Sequence, residues 1–141
     1  AGPAITAVSL PPNPPAFRFA IAPEVLDSQS LWQRHKTTNR AFYDEPRHRA
    51  HAALGIDEVV FLNERGELTE GSITSLFVER GGILLTPPLS SGPLPGTLRA
   101  ELIATGRAEE QVLTLADLQG AEAIWLGNSV RGLLRAIWVR E

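Results

Sequence analysis

At 141 residues, 43% of them hydrophobic and 21% charged, the chain is one domain by length, with enough apolar content for a packed core. A net charge of −3 gives no electrostatic footprint for nucleic acid or an anionic membrane surface. No apolar run approaches the ~20 residues needed to cross a bilayer, and the lack of cysteine excludes disulfides, thiolate catalysis and cysteine zinc sites, which fits a cytoplasmic location.

Residues 1–15 contain Pro3, Pro11, Pro12, Pro14 and Pro15, and read as a stiff lead-in or linker in which Ile5 to Leu10 forms one short strand. The folded unit is then 16–141. Phe17, Phe19 and Ile21 alternate with Arg18 and Ala20, predicting a strand that Pro23 ends. Asp27 or Ser28 caps a short helical turn through Leu31 and Trp32. From Thr38 the spacing of Ala41, Phe42, Ala50, Ala53 and Leu54 predicts a helix closed by Gly55, which Pro46 must kink, break or restart.

Short strands follow. Asp57 to Leu62 leads through the turn Asn63-Glu64-Arg65-Gly66 into Leu68-Thr69, and Ser75 to Glu79 pairs across Gly81-Gly82 with Ile83 to Thr86. Pro87 to Pro95 is a loop and Leu98 to Thr105 a helix. Gln111 to Leu113 is a strand, Leu115 to Leu118 a short helix after the cap Thr114, and Ala123 to Leu126 and Leu133 to Val139 are the last strands. Hairpins mixed with helix-separated strands predict an α/β fold, a twisted mixed sheet partly closed on itself with helices packed outside.

Lys36 is the only lysine; the other twelve of the 13 basic residues are arginine. Arginine stays protonated, whereas a desolvated lysine can serve as an amine nucleophile. Glu70-Gly71-Ser72-Ile73-Thr74, between two strands, offers an acid, hydroxyls and backbone N–H groups to a polar ligand, although an ordinary bend reads the same way. Pro95-Gly96-Thr97-Leu98-Arg99 opens a helix whose free N–H groups favour an anion. Gly127-Asn128-Ser129 sets small polar donors at the end of a buried strand. His48 and His51 share a helix face, but with His35 they make no metal site, and no Ser-His-Asp arrangement is visible.

In this order, His-Lys-Thr-Thr-Asn-Arg at 35–40, Leu-Thr-Glu-Gly-Ser-Ile-Thr-Ser-Leu-Phe at 68–77, Leu-Pro-Gly-Thr-Leu-Arg at 94–99 and Gly-Asn-Ser-Val-Arg-Gly at 127–132 resemble the class IV aminotransferases, the fold type IV pyridoxal-phosphate enzymes. Within that family Lys-Thr-Thr-Asn-Arg and Asn-Ser-Val-Arg look most like the 4-amino-4-deoxychorismate lyases, including those fused behind aminodeoxychorismate synthase. Branched-chain members carry a tyrosine five residues beyond the lysine, where this chain has Ala41.

The resemblance implies a pseudo-barrel like the C-terminal domain of D-amino-acid aminotransferase over 16–141, binding pyridoxal 5'-phosphate. Lys36 would hold the cofactor covalently and shuttle protons. Glu70 would face the pyridine nitrogen and keep it protonated. Ile73, Thr74, Thr97, Leu98 and Asn128 would surround the phosphate. The family often has Ile-Thr where this chain has Thr97-Leu98, which leaves backbone contacts there rather than a hydroxyl. Arg131 would pair with a substrate carboxylate.

The reaction implied is conversion of 4-amino-4-deoxychorismate to 4-aminobenzoate and pyruvate, in folate biosynthesis. The alternatives are an aminotransferase of D- or branched-chain amino acids, and a non-catalytic partner-binding module of the same fold. The resemblance also implies a homodimer and an N-terminal domain of the same polypeptide ahead of this segment. The absence of methionine and the Pro-rich opening agree with that expectation.

Overall fold

The computed structural model describes residues 16–30 and 40–140, so the lead-in at 1–15 and the segment 31–39 lie outside the described residues. Strand β1 (Phe17–Leu26) is followed by a 3-10 turn (Ser28–Ser30), helix α1 (Arg40–Leu54), β2 (Glu58–Asn63), β3 (Leu68–Gly71), β4 (Ser75–Arg80) and β5 (Ile83–Thr86). A second 3-10 turn (Leu89–Ser91) precedes α2 (Thr97–Ala104), β6 (Ala108–Glu110), α3 (Leu115–Gln119), β7 (Ala123–Asn128) and β8 (Gly132–Trp138).

The strand order is β3-β2-β1-β8-β7-β4-β5-β6, and β3 also pairs with β4. That extra pairing closes β1, β2, β3, β4, β7 and β8 into a six-stranded barrel, with β5 and β6 as a wing on β4. β1 runs parallel to both neighbours, with Phe19 opposite Glu58 on one side and Trp138 on the other. The mixed sheet with partial closure that the sequence predicts is therefore present.

Alternation along each strand sends side chains to two dry faces. Phe17, Phe19, Val60, Leu68, Leu76, Val78, Leu126, Leu134 and Ala136, from all six barrel strands, meet in one cluster that fills the interior. The neighbours of Val60 point the other way: Val59 and Phe61 pack with Ala22, Leu26 and Tyr43 under α1. Phe61, wholly buried, stacks on Phe42 at 5.4 Å and takes Tyr43 edge-on at 5.4 Å. Burying one such ring stabilises by about 1.5–3 kcal/mol, which fixes the first turn of α1 against β2. On the other side Phe77, Leu102 and Ala108 seat α2.

Four local expectations change. Pro23 does not end β1; the register shifts between Ile21 and Val25, and the exposed proline sits in that irregularity, where no ladder N–H is needed. Pro46 neither breaks nor restarts α1, which runs unbroken through it, and the residue is buried. The covered face of α1 is Tyr43, Pro46 and Ala50, spaced three and four apart, while Ala41, Ala53 and Leu54 are exposed. Gln111 to Leu113 is not a strand. The strand is Ala108–Glu110, parallel to β5, and its two exposed acids hide it from an apolar pattern.

The described part of the helical turn expected after β1 is a 3-10 turn, Ser28–Ser30, with Asp27 accepting the Gln29 N–H at 2.9 Å. Leu31 and Trp32 fall outside the described residues. Gly81 and Gly82, with φ of 62° and 78°, make the tight β4–β5 turn their sequence predicts.

The β2–β3 turn is tied to its surroundings by polar contacts. Asn63 accepts the N–H groups of Arg65 and Glu67, both at 2.9 Å, and donates to Ser91 O at 2.8 Å. Glu64 accepts the Ser28 hydroxyl and backbone N–H, which draw its carboxyl down from 4.5 to about 2. Arg65 and Asn63 likewise hold Glu67 below the ordinary carboxylate range. Both groups bind a proton less readily in the folded chain than in the unfolded one. The contribution of each is therefore present above the ordinary carboxylate range and lost on acidification; for Glu64 the loss runs from about pH 4.5 down toward about 2. The melting temperature should decline through that window, modestly because the turn is solvated. Ser28→Ala should flatten the decline, and an unchanged acid limb in that variant would show that the Ser28–Glu64 contact has no part in it.

Candidate active site

Three chain segments that are far apart in sequence converge at one end of the barrel. They are the end of β3 with the bend that follows, the start of α2, and the end of β7. Between them lies a pocket of about 280 Å³, lined by Glu70, Ser72, Ile73, Thr74, Thr97, Leu98, Asn128 and Ser129 among others, with Arg40 and Tyr43 contributed by the first turn of α1. The six positions singled out as cofactor contacts beside the lysine thus share one cavity. Lys36 itself lies outside the described residues; the described chain resumes at Arg40, four positions on.

Close backbone approach builds this end of the barrel. A Cβ on Gly127 would lie 2.5 Å from Gly132 O and 2.9 Å from Leu98 Cδ2, so only glycine lets α2 sit directly on β7. A Cβ on Gly96, the residue before α2, would reach within 3.1 Å of Ser75 Oγ. The first intrahelical bond of α2 runs from Ala100 N–H to Gly96 O at 3.0 Å. The N–H groups of Thr97 and Leu98 therefore precede any helical acceptor, and both residues line the pocket.

Glu70 is buried at 7% exposure, and its Oε1 accepts the Leu94 N–H at 3.1 Å. Asn128 is internally committed: its amide N–H donates to Ile73 O at 2.9 Å, and its oxygen accepts the N–H groups of Val130 and Arg131. The Thr74 hydroxyl and the Ile73 N–H are directed at the carboxylate of Glu58, at 2.9 and 3.1 Å.

Arg99, in the helix-opening motif, is buried and braces the fold by donating to Pro87 O and to the Glu110 carboxylate. Arg131 lies in the β7–β8 turn, outside the pocket lining. His48 and His51 are exposed on α1, and His51 Nδ1 is 3.1 Å from Ile56 O beyond the helix end. Among the described residues, no group of three His, Asp or Glu could hold a metal ion.

Sequence reasoning missed Arg40, Tyr43 and Glu58. Arg40 stands in a motif that was noted for its lysine. It donates to Ser72 O at 2.9 Å and to Asp44 at 3.0 Å, with its guanidinium 5.2 Å from the Tyr43 ring centre. Neither Tyr43, which is absent from the apolar helix positions read above, nor Glu58 carries a motif signal.

The donor set describes its ligand. A buried carboxylate suits a protonated ring nitrogen, a helix start with uncommitted N–H groups suits an anion, and a guanidinium suits a carboxylate.

The chain is similar to known proteins in sequence and in fold. A Schizosaccharomyces pombe protein provisionally named an aminodeoxychorismate lyase is 32% identical over 109 residues, covering 74% of this chain and 47% of that protein. The branched-chain-amino-acid aminotransferase of Escherichia coli K12 is 31% identical over 80 residues, covering 53% of this chain and 26% of that enzyme. Among solved structures, a Mesorhizobium loti protein provisionally named an amino-acid aminotransferase superposes with a TM-score of 0.82 at 43% identity, over 91% of this chain and 63% of that one. The chain thus spans under half the length of these two curated relatives. Residues 1–137 match the family described as amino-transferase class IV, and the chain belongs to that family.

Proposed function

We propose that this chain is the cofactor-binding part of a pyridoxal-phosphate enzyme, and that its reaction is the lyase conversion of 4-amino-4-deoxychorismate to 4-aminobenzoate and pyruvate. The observation that carries the reading is the convergence of Glu70, Ile73, Thr74, Thr97, Leu98 and Asn128, from three separate motifs, on one pocket. The chemistry of that pocket fits the cofactor, with an acid for the ring nitrogen and helix N–H groups for the phosphate.

In this reading Lys36 would supply the amine that anchors the cofactor and, as general base, would take the proton from the substrate's amine-bearing carbon. The enolpyruvyl C–O bond breaks, the ring becomes aromatic, and the proton is delivered to the departing enolpyruvate, which leaves as pyruvate. The bound cofactor supplies an electron sink. Glu70 maintains that property by keeping the ring nitrogen protonated. Thr97 and Leu98 N–H groups hold the phosphate. Asn128 works from one shell back, fixing the Ile73 carbonyl. Arg40, rather than Arg131, meets a substrate carboxylate, because Arg40 is in the lining and Arg131 is not.

The Lys-Thr-Thr-Asn-Arg run and the Schizosaccharomyces pombe relative favour the lyase. A second reading, transfer of an amino group to a keto acid, is favoured by the 43% identity to the Mesorhizobium loti protein. Under either reading the segment works with an N-terminal domain of the same polypeptide, as a homodimer. What supports the additional domain is that more than half of each curated relative named here lies outside the stretch this chain matches.

The deciding assay gives the intact protein 4-amino-4-deoxychorismate without any amino acceptor. Equal release of 4-aminobenzoate and pyruvate is the expected result; turnover only when a keto acid is added would establish the aminotransferase instead. Borohydride should fix pyridoxal phosphate on Lys36, and Lys36→Ala should remove both the label and the activity. Labelling that survives the substitution would mean that another group holds the cofactor.

Glu70→Gln should keep cofactor bound and slow turnover by about tenfold or more, because an amide does not favour a protonated ring nitrogen. Unchanged turnover would take Glu70 out of that role. Arg40→Met should raise KM by about tenfold or more with a smaller change in kcat, as expected when a charge-assisted contact worth ~1.5–3 kcal/mol is lost from substrate binding. A normal KM would return the carboxylate to another cation.

A further inference from the structure

Glu58 is the first residue of β2, wholly buried, and not part of the pocket lining. Its carboxylate accepts five hydrogen bonds. Oε1 takes the Val59 N–H at 2.9 Å, the Ser72 N–H at 3.0 Å and the Ser72 hydroxyl. Oε2 takes the Ile73 N–H at 3.1 Å and the Thr74 hydroxyl at 2.9 Å. Four of the five come from the bend at 72–74, all three of whose residues line the pocket.

The three backbone carbonyls of that bend are also engaged. The Ser72 carbonyl accepts from Arg40, the Ile73 carbonyl from Asn128, and the Thr74 carbonyl from the Gly71 N–H at 2.8 Å. Gly71 is required by the same packing, since a Cβ there would stand 2.7 Å from Glu58 Oε2 and 2.3 Å from Thr74 Oγ1.

We infer that Glu58 is the positioning residue of this site: its carboxylate sets the bend between Glu70 and Ser75 before any ligand arrives. Three of its five partners are backbone N–H groups, which can only donate. Each oxygen faces at least one of them. A glutamine amide, turned either way, brings its NH2 against such a donor, and at least one backbone N–H loses its acceptor. Aspartate is one methylene too short to serve both oxygens' partners. Glu58 therefore acts on bound cofactor only through the bend and through the adjoining Glu70. That effect rests on the function proposed above, whereas the setting of the bend does not.

The test begins with amide hydrogen exchange on the intact, cofactor-free protein. In the unaltered protein the Ser72 and Ile73 amides should be protected. In Glu58→Gln they should exchange about tenfold or more faster relative to the barrel amides of Val78 and Leu126. Pyridoxal phosphate binding, followed by absorbance, should weaken by a similar factor although Glu70 is intact. If Glu58→Gln does not fold, the pair Ser72→Ala with Thr74→Val removes both hydroxyl donors and should loosen the same two amides. Ser72 and Ile73 amides that exchange like exposed loop in the unaltered protein, or that keep their protection when Glu58 or both hydroxyls are replaced, overturn the inference. Selective loosening supports it, including in the case where the unaltered protein fails to bind pyridoxal phosphate and only the cofactor reading falls.

Discussion

Closure of the barrel depends on a single pairing between consecutive strands, Glu70 of β3 with Ser75 of β4. Without it the six strands are an open sheet. Only Gly71 to Thr74 lie between the two paired residues, and the turn they make is mostly buried. Buried backbone groups away from water must find partners inside the protein. Here they find them in Glu58, Arg40 and Asn128, on β2, α1 and β7. The bend that closes the barrel is thus also the wall of the pocket, and its shape is fixed by the elements on both sides of it.

The same constraint explains why the pocket lies at this end. β4 pairs with β3 at its first residue and then with β7 along nearly its whole length, from Ser75 opposite Gly127 to Glu79 opposite Ala123. The strand ends are therefore held at one level. Gly127 lets Leu98 approach, which brings the open N–H groups of α2 to that level as well. The Phe42–Tyr43–Phe61 stack pins α1 so that Arg40 joins them from the other side. Acid, anion-binding backbone and cation are each supplied by a separate element, and each element is anchored by packing that the ligand need not provide.

Much of this could be read from the residues, for identifiable reasons. Alternation of apolar side chains reveals β1, and short apolar runs reveal β4 and β7, because the buried Phe17, Phe19, Leu76, Phe77, Val78 and Leu126 lie in them. Gly81-Gly82 announces a turn because both positions need positive φ. Singly, each pocket motif reads as an ordinary turn or helix start, where Gly, Ser, Thr and Asn are common; they are legible only as a set, in their order along the chain. What could not be read depends on contacts between distant segments. β6 is recognisable only from its pairing with β5, since two of its three residues are exposed acids. Pro23 looks like a terminator until the register shift gives it a place. Tyr43 carries no signal of its own until it packs on Phe61, and nothing in the run Asp57-Glu58-Val59 separates a solvated acid at a strand start from one that is wholly buried.

Glu58 and Glu70 are both buried, on paired neighbouring strands, and the structure divides the work between them. Every donor to Glu58 comes from the chain itself, from residues that cannot leave, so its charge is spent on shape. Glu70 accepts the Leu94 N–H and, unlike Glu58, lines the pocket, so its carboxylate borders the space a ligand would enter. A single carboxylate could not do both. One that anchored the bend would lack capacity for a ligand, and one that served the ligand would leave the bend's N–H groups to reorganise whenever the pocket emptied. Separating the tasks keeps the pocket's shape independent of its occupancy, which is the condition under which a fixed charge acts on a bound group without reorganisation.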